Sequence, residues 1–92
     1  MGYTLKYKRS AIKGLRKIPR PIRETIVEKL ESIALDPSFT AINEKCFDVI
    51  QLSGEQNLYR LRQGSYRAVY LKADDQLIVL VIRVEPRGGV YE

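Results

Sequence analysis

The stretch LYRLRQGSYRAVYLK, residues 58–72, decides the fold. Two runs rich in tyrosine, leucine and valine, 58 to 62 and 66 to 72, flank a tight turn at Gln63, Gly64 and Ser65. That arrangement is the signature of an antiparallel hairpin. If Gly64 and Ser65 are the two turn residues, Arg62 faces Arg67 and Arg60 lies two positions back on the same side. Side chains alternate faces along a strand, so Arg60, Arg62 and Arg67 share one face, and Tyr59, Leu61, Ala68 and Tyr70 share the other. The second set belongs against helices. Three guanidinium groups on adjacent strands repel one another, and the local sequence supplies no acid beside them. An anionic ligand such as phosphate satisfies them; so would Asp48, Glu55 or Glu85 folded in from elsewhere.

Downstream of the hairpin, Asp74 and Asp75 open a turn into QLIVLVIRV, residues 76–84. This apolar run is β-branched at Ile78, Val79, Val81, Ile82 and Val84, which predicts a central strand covered on both faces. Upstream, residues 36–57 show little periodicity beyond Phe47, Val49 and Leu52 and read as a loop with at most a short strand near 47–52. Ile22, Ile26, Leu30 and Ile33, with Val27 and Ala34, recur at helical spacing after Pro21 and stop at Asp36-Pro37, predicting a helix over 21–35. A shorter basic helix, capped by Ser10 and carrying Ala11, Leu15 and Ile18 on one face, ends at Pro19. Tyr3, Leu5 and Tyr7 alternate with Thr4, Lys6 and Lys8, predicting a strand over 3–8. The layout is β-α-α-β-β-β, an α+β chain in which the helices have a packing role.

Its 92 residues make a single domain, 1–92, in which 45% hydrophobic residues is ordinary for a globular protein. No apolar run approaches the roughly 20 residues that span a bilayer, and Met1 to Arg9 lacks the apolar centre of a signal peptide. A cytoplasmic location, with no membrane partner, is the expectation. One cysteine, Cys46, cannot form an internal disulfide, and a chain without histidine offers no plausible zinc site. No cofactor and no metal are expected. The net charge of +5 is unevenly placed: residues 1–23 carry eight basic side chains and no acid. Such a basic block fits a polyanion, because each neutralised phosphate releases counterions; a solvated face or a landing site for an acidic protein is the alternative.

Taken together, YRLRQGSYRAVY at 59–70, the apolar strand, and RVEPRGGVY at 83–91 resemble the RelE/ParE superfamily of bacterial and archaeal toxins. The resemblance covers essentially the whole chain. It implies a RelE-like fold, with two N-terminal helices packed on a twisted, mainly antiparallel four-stranded sheet, and a type II toxin neutralised by a RelB-like antitoxin that is acidic and partly disordered. RelE-like members enter the A site of the 70S ribosome and cut mRNA there, the ribose 2′-hydroxyl attacking the neighbouring phosphate, with no metal required. By position the resemblance implies catalytic roles for Arg62, Arg67, Arg87 and Tyr91. Arg67 would clamp the scissile phosphate, Arg87 would stabilise the transition state, and Tyr91 would stack on or orient the cleaved nucleotide. Arg60, with Lys6, Lys13, Arg16 and Lys17 of the basic N-terminal block, would bind RNA. A toxin–antitoxin hetero-oligomer follows.

One step departs from the family pattern. Members that use conventional acid–base chemistry often place His or Lys just before the position of Arg87, where this chain has Glu85-Pro86. Proline transfers no proton, and an arginine such as Arg62 is a poor base. Either Tyr91 or Glu85 accepts the proton, or positioning and electrostatics do most of the work. Two other readings share the pattern: a ParE-like inhibitor of DNA gyrase without nuclease chemistry, and an inactive relative that binds only its antitoxin.

Overall fold

In this computed structural model the chain is described over residues 2–35, 48–52 and 57–86. The elements in order are β1 (Thr4–Tyr7), α1 (Arg9–Arg16), α2 (Arg20–Leu35), β2 (Asp48–Gln51), β3 (Leu58–Gln63), β4 (Tyr66–Ala73) and β5 (Ile78–Pro86). Among the described residues the sheet has five strands, in the order β1-β5-β4-β3-β2, rather than the four expected. The additional strand is β2, which pairs antiparallel with β3. Its sequence is too short to show a period, and it is held by the ladder that β3 offers rather than by its own pattern. Only β1 is parallel to its neighbour, β5. Among the described residues no helix is long and apolar enough to cross a membrane.

Cross-strand partners share a face, so the register sorts the side chains. Val49, Leu61, Ala68 and Val84 form one row across four strands, and all four are buried. They meet Ala11, Leu15 and Ile18 from the first helical segment and Ile26, Leu30, Ile33 and Ala34 from α2 in a single core. Tyr70 is buried in it, and Tyr3, Tyr7, Tyr59 and Tyr66 pack against it as aromatic rim. Tyr59 and Tyr70, directly opposed in register, stack with ring centroids 5.5 Å apart. The other face of the sheet carries no helix from this chain among the described residues. On β5 only the helix-side residues Val79, Val81 and Val84 are buried, while Ile78, Leu80 and Ile82 are half-buried. The strand is therefore covered fully on one face only, a correction to its reading as a strand buried on both.

Helix α1 also starts differently. Lys8 stands at its N-cap with no side-chain cap, and the Ser10 hydroxyl instead donates to the Ile82 carbonyl of β5 at 2.6 Å. That carbonyl belongs to a bulge: Tyr70 pairs with Val81 and Val69 with Arg83, leaving Ile82 as an extra residue in β5. An extra residue reverses the alternation of every side chain beyond it. Without it, Arg83 and Glu85 would point at the helices and Val84 at the open face.

One core-facing group is poorly matched. The Tyr7 hydroxyl is buried without a hydrogen-bond partner among the described residues, and burial, followed by the charge of Glu31, raises its pKa. Replacing it should therefore cost nothing. We expect Tyr7→Phe to match or exceed the wild-type stability, by up to about 1 kcal/mol, in urea unfolding near neutral pH. Because the folded-state pKa lies above the unfolded value, wild-type stability is intact below about pH 10 and falls as pH rises through the folded value. The variant's advantage should widen there, and a variant clearly less stable than wild type at neutral pH would refute this account.

Candidate functional site

The hairpin register is Arg62 opposite Arg67 and Gln63 opposite Tyr66, so Gly64 and Ser65 are the turn residues. Gly64 has φ of +60°, a left-handed conformation that glycine adopts at little cost. This turn fixes the parity of both strands. Arg60, Arg62 and Arg67 accordingly share the open face, as expected.

What the hairpin alone did not reveal is the strand beside it. The bulge at Ile82 brings Glu85 opposite Arg67 and Arg83 opposite Val69, both on the same open face. Arg67 Nε donates to Glu85 Oε2 at 3.1 Å, and Arg83 Nε lies 3.4 Å from that same oxygen. Two guanidinium groups thus converge on one carboxylate oxygen. Of the two ways to satisfy the arginines, an acid folded in from elsewhere is the one seen at Arg67, whose partner is Glu85 of the adjacent strand. Asp48 stands opposite Arg62 in the register of β2 and β3. Arg60 faces Val69, its Nε buried without a hydrogen-bond partner among the described residues. Val69 itself, mid-face, is only 3% exposed between the register positions of Arg60 and Arg83. The resulting surface is a four-arginine field with Glu85 on its β5 side, paired with Arg67 and Arg83.

The other basic residues distribute unequally. Lys13 and Lys17, one turn apart on and just past α1, line a groove of about 450 Å³ together with Tyr66, Arg83, Glu85 and Pro86. They therefore border the arginine field. Lys6 lies on the open face opposite Leu80, one row beyond the arginines and on the edge strand. Arg16 is exposed on α1 and does not line the groove. Arg87, Tyr91, Glu55 and Cys46 lie outside the described residues. Arg83 is the residue that sequence reasoning missed; its parity with Glu85 was visible, but not the face they share.

Such a surface suits an anion with several oxygens. Paired arginines give directed, charge-assisted hydrogen bonds to phosphate, and their charge is fixed at any accessible pH. Side chains of Arg67 and Glu85 are 22% and 27% exposed, enough for a ligand to reach and for solvent to weaken the existing pair.

Comparison with known proteins gives concordant matches. A family model described as the ParE toxin of type II toxin–antitoxin systems matches residues 5–91. The mRNA interferase toxin RelE of Escherichia coli K12 is 32% identical over 95 residues, covering 99% of this chain and 92% of that one. Among solved structures, the archaeal RelE–RelB complex from Pyrococcus horikoshii OT3 is similar at 27% identity with a TM-score of 0.80, covering 98% of this chain and 100% of that chain. The intact E. coli RelBE toxin–antitoxin complex is similar at 29% identity with a TM-score of 0.74, over 91% of this chain and 95% of that chain.

Proposed function

The chain belongs to the ParE toxin family of type II toxin–antitoxin systems, within the RelE/ParE superfamily, and from that premise we propose that it is a ribosome-dependent mRNA interferase. The observation that carries this reading is the arginine field on the open face, centred on Arg67. In the proposed reaction the ribose 2′-oxygen bonds to the adjacent phosphorus as the bond to the 5′-oxygen breaks, leaving a 2′,3′-cyclic phosphate and a 5′-hydroxyl. The 2′-hydroxyl proton passes to an acceptor, and the departing 5′-oxygen takes up a proton. Arg67 clamps the non-bridging oxygens as charge grows on them, and Arg62 and Arg60 hold flanking RNA. Lys13 and Lys17 extend the basic track around the sheet edge.

Arg87 and Tyr91 keep the roles the family pattern implies, stabilising the transition state and orienting the nucleotide. Glu85 or Tyr91 accepts the proton. The partners are the 70S ribosome with mRNA, and an acidic, partly disordered antitoxin. Charge complementarity supports such an antitoxin, as do relatives solved as RelE–RelB complexes.

The test is primer extension on a defined mRNA in 70S translation complexes, with naked RNA as control. Cleavage in the A site with a 2′,3′-cyclic phosphate end is the expected result. A second reading, inhibition of DNA gyrase, is favoured by one observation, that the matching family model is that of ParE toxins. Absence of ribosomal cleavage by folded, antitoxin-free protein, with loss of gyrase supercoiling, would decide for it.

A further inference from the structure

The contact between Glu85, Arg67 and Arg83 has a meaning beyond structural pairing. We propose that Glu85 is a built-in counter-ion that holds, in the free protein, the position an RNA phosphodiester takes on Arg67 and Arg83, and that it must yield that position when RNA binds. Three observations carry this. Arg67 Nε donates to Glu85 Oε2 and Arg83 Nε forms an ion pair with that same oxygen at 3.4 Å, so two guanidinium groups converge where one non-bridging phosphate oxygen would sit. Arg83 and Glu85 join Arg67 on the open face only because the bulge at Ile82 turns them there. All three side chains are partly exposed, Arg83 at 52%, so an incoming anion can reach the pair. The inference rests on reading the open face as the RNA site, and it adds Arg83 to the phosphate-binding set.

The physical consequence is an ion exchange. A carboxylate and a phosphodiester each carry one negative charge, so both cannot sit on the same two donors without repulsion. Glu85 keeps Arg67 and Arg83 aimed while the site is empty and subtracts one unit of positive field from what a passing polyanion senses. RNA held by further contacts, as an mRNA threaded through a ribosome is, displaces the carboxylate. RNA that meets this surface alone binds weakly. Glu85 is thus a selectivity element, and its displaced carboxylate stays beside the reacting phosphate.

The sign of one substitution separates this role from a merely structural one. Glu85→Gln keeps the side chain's shape and an acceptor oxygen for Arg67 while removing the charge. The probe is a fluorescent 2′-O-methyl RNA trinucleotide, which lacks the attacking hydroxyl, titrated across a salt series. We expect Glu85→Gln to bind about fivefold more tightly than wild type, the upper range for one partly exposed charge. The logarithm of its affinity should fall more steeply with the logarithm of salt, by about 0.7, one further phosphate contact's worth. Glu85→Ala should share the steeper slope, and Arg83→Ala should lose affinity. Arg67-dependent binding with no gain in Glu85→Gln would overturn the proposal while leaving the RNA site standing. Binding unaffected by Arg67→Ala would overturn the RNA site itself, and the proposal with it. Urea unfolding of each variant shows that affinities are compared between folded chains.

Discussion

Arg67→Ala is expected to slow mRNA cleavage in 70S complexes by about 10²- to 10³-fold in single-turnover measurements, the usual cost of removing one group that stabilises developing oxyanion charge. The effect is specific because Arg67 does little for stability. Its partner Glu85 is 3.1 Å away and both side chains are about a quarter exposed, so their pairing contributes at most about 1 kcal/mol. The variant should unfold in urea close to wild type. Arg67→Lys should recover part of the rate, since it restores charge but not the planar, two-pronged donor that matches a phosphate. Arg20→Ala, which removes only an exposed ion pair with Glu24 along α2, should cleave as wild type does. A folded Arg67→Ala chain that retains more than a third of the wild-type rate would remove Arg67 from the phosphate clamp.

The second large effect is on the fold. Gly14 lies in the middle of α1, where alanine normally stabilises a helix by about 0.5–1 kcal/mol over glycine. Here the sign reverses. A Cβ at Gly14 would stand 2.0 Å from the Val84 carbonyl oxygen and 3.0 Å from its carbon, backbone atoms that no rotamer change can move. Helix α1 would have to back away from β5, drawing Ala11 and Leu15 out of the core and lengthening the Ser10 bond to Ile82. We expect Gly14→Ala to lose about 1–3 kcal/mol in urea unfolding, a sizeable share of the roughly 5–14 kcal/mol available to a domain of this size. Gly14→Val should lose more. A stability equal to or above wild type for Gly14→Ala would show that α1 does not rest on β5 as described.

Much of this molecule was legible along the chain. The hairpin register followed from alternation and from a glycine where a two-residue turn requires a left-handed residue, and the three arginines on one face followed from the register. Helix α2 followed from the spacing of Ile22, Ile26, Leu30 and Ile33. Less legible was β2, four residues whose strand state depends on β3 as a template. The start of α1 was misread because the Ser10 hydroxyl, a plausible cap in sequence, finds a better acceptor on β5.

The arginine field shows the division most clearly. Local alternation is a property of covalent geometry, and it alone determined that Arg60, Arg62 and Arg67 stand together on one face of a hairpin. Which residues stand opposite them is a property of pairing between strands, and there a single extra residue changes the answer. Continued without interruption from Ala73 opposite Ile78, the β4–β5 register would set Val84 against Arg67 and turn Glu85 toward the helices. The bulge at Ile82, held by the Ser10 hydroxyl and by the packing of α1 on β5, reverses that parity. No periodicity in QLIVLVIRVEP marks the reversal, because its apolar residues satisfy either face. Tertiary structure alone placed a carboxylate between Arg67 and Arg83, where the burial of Val84 decides the register and the charge of Glu85 follows.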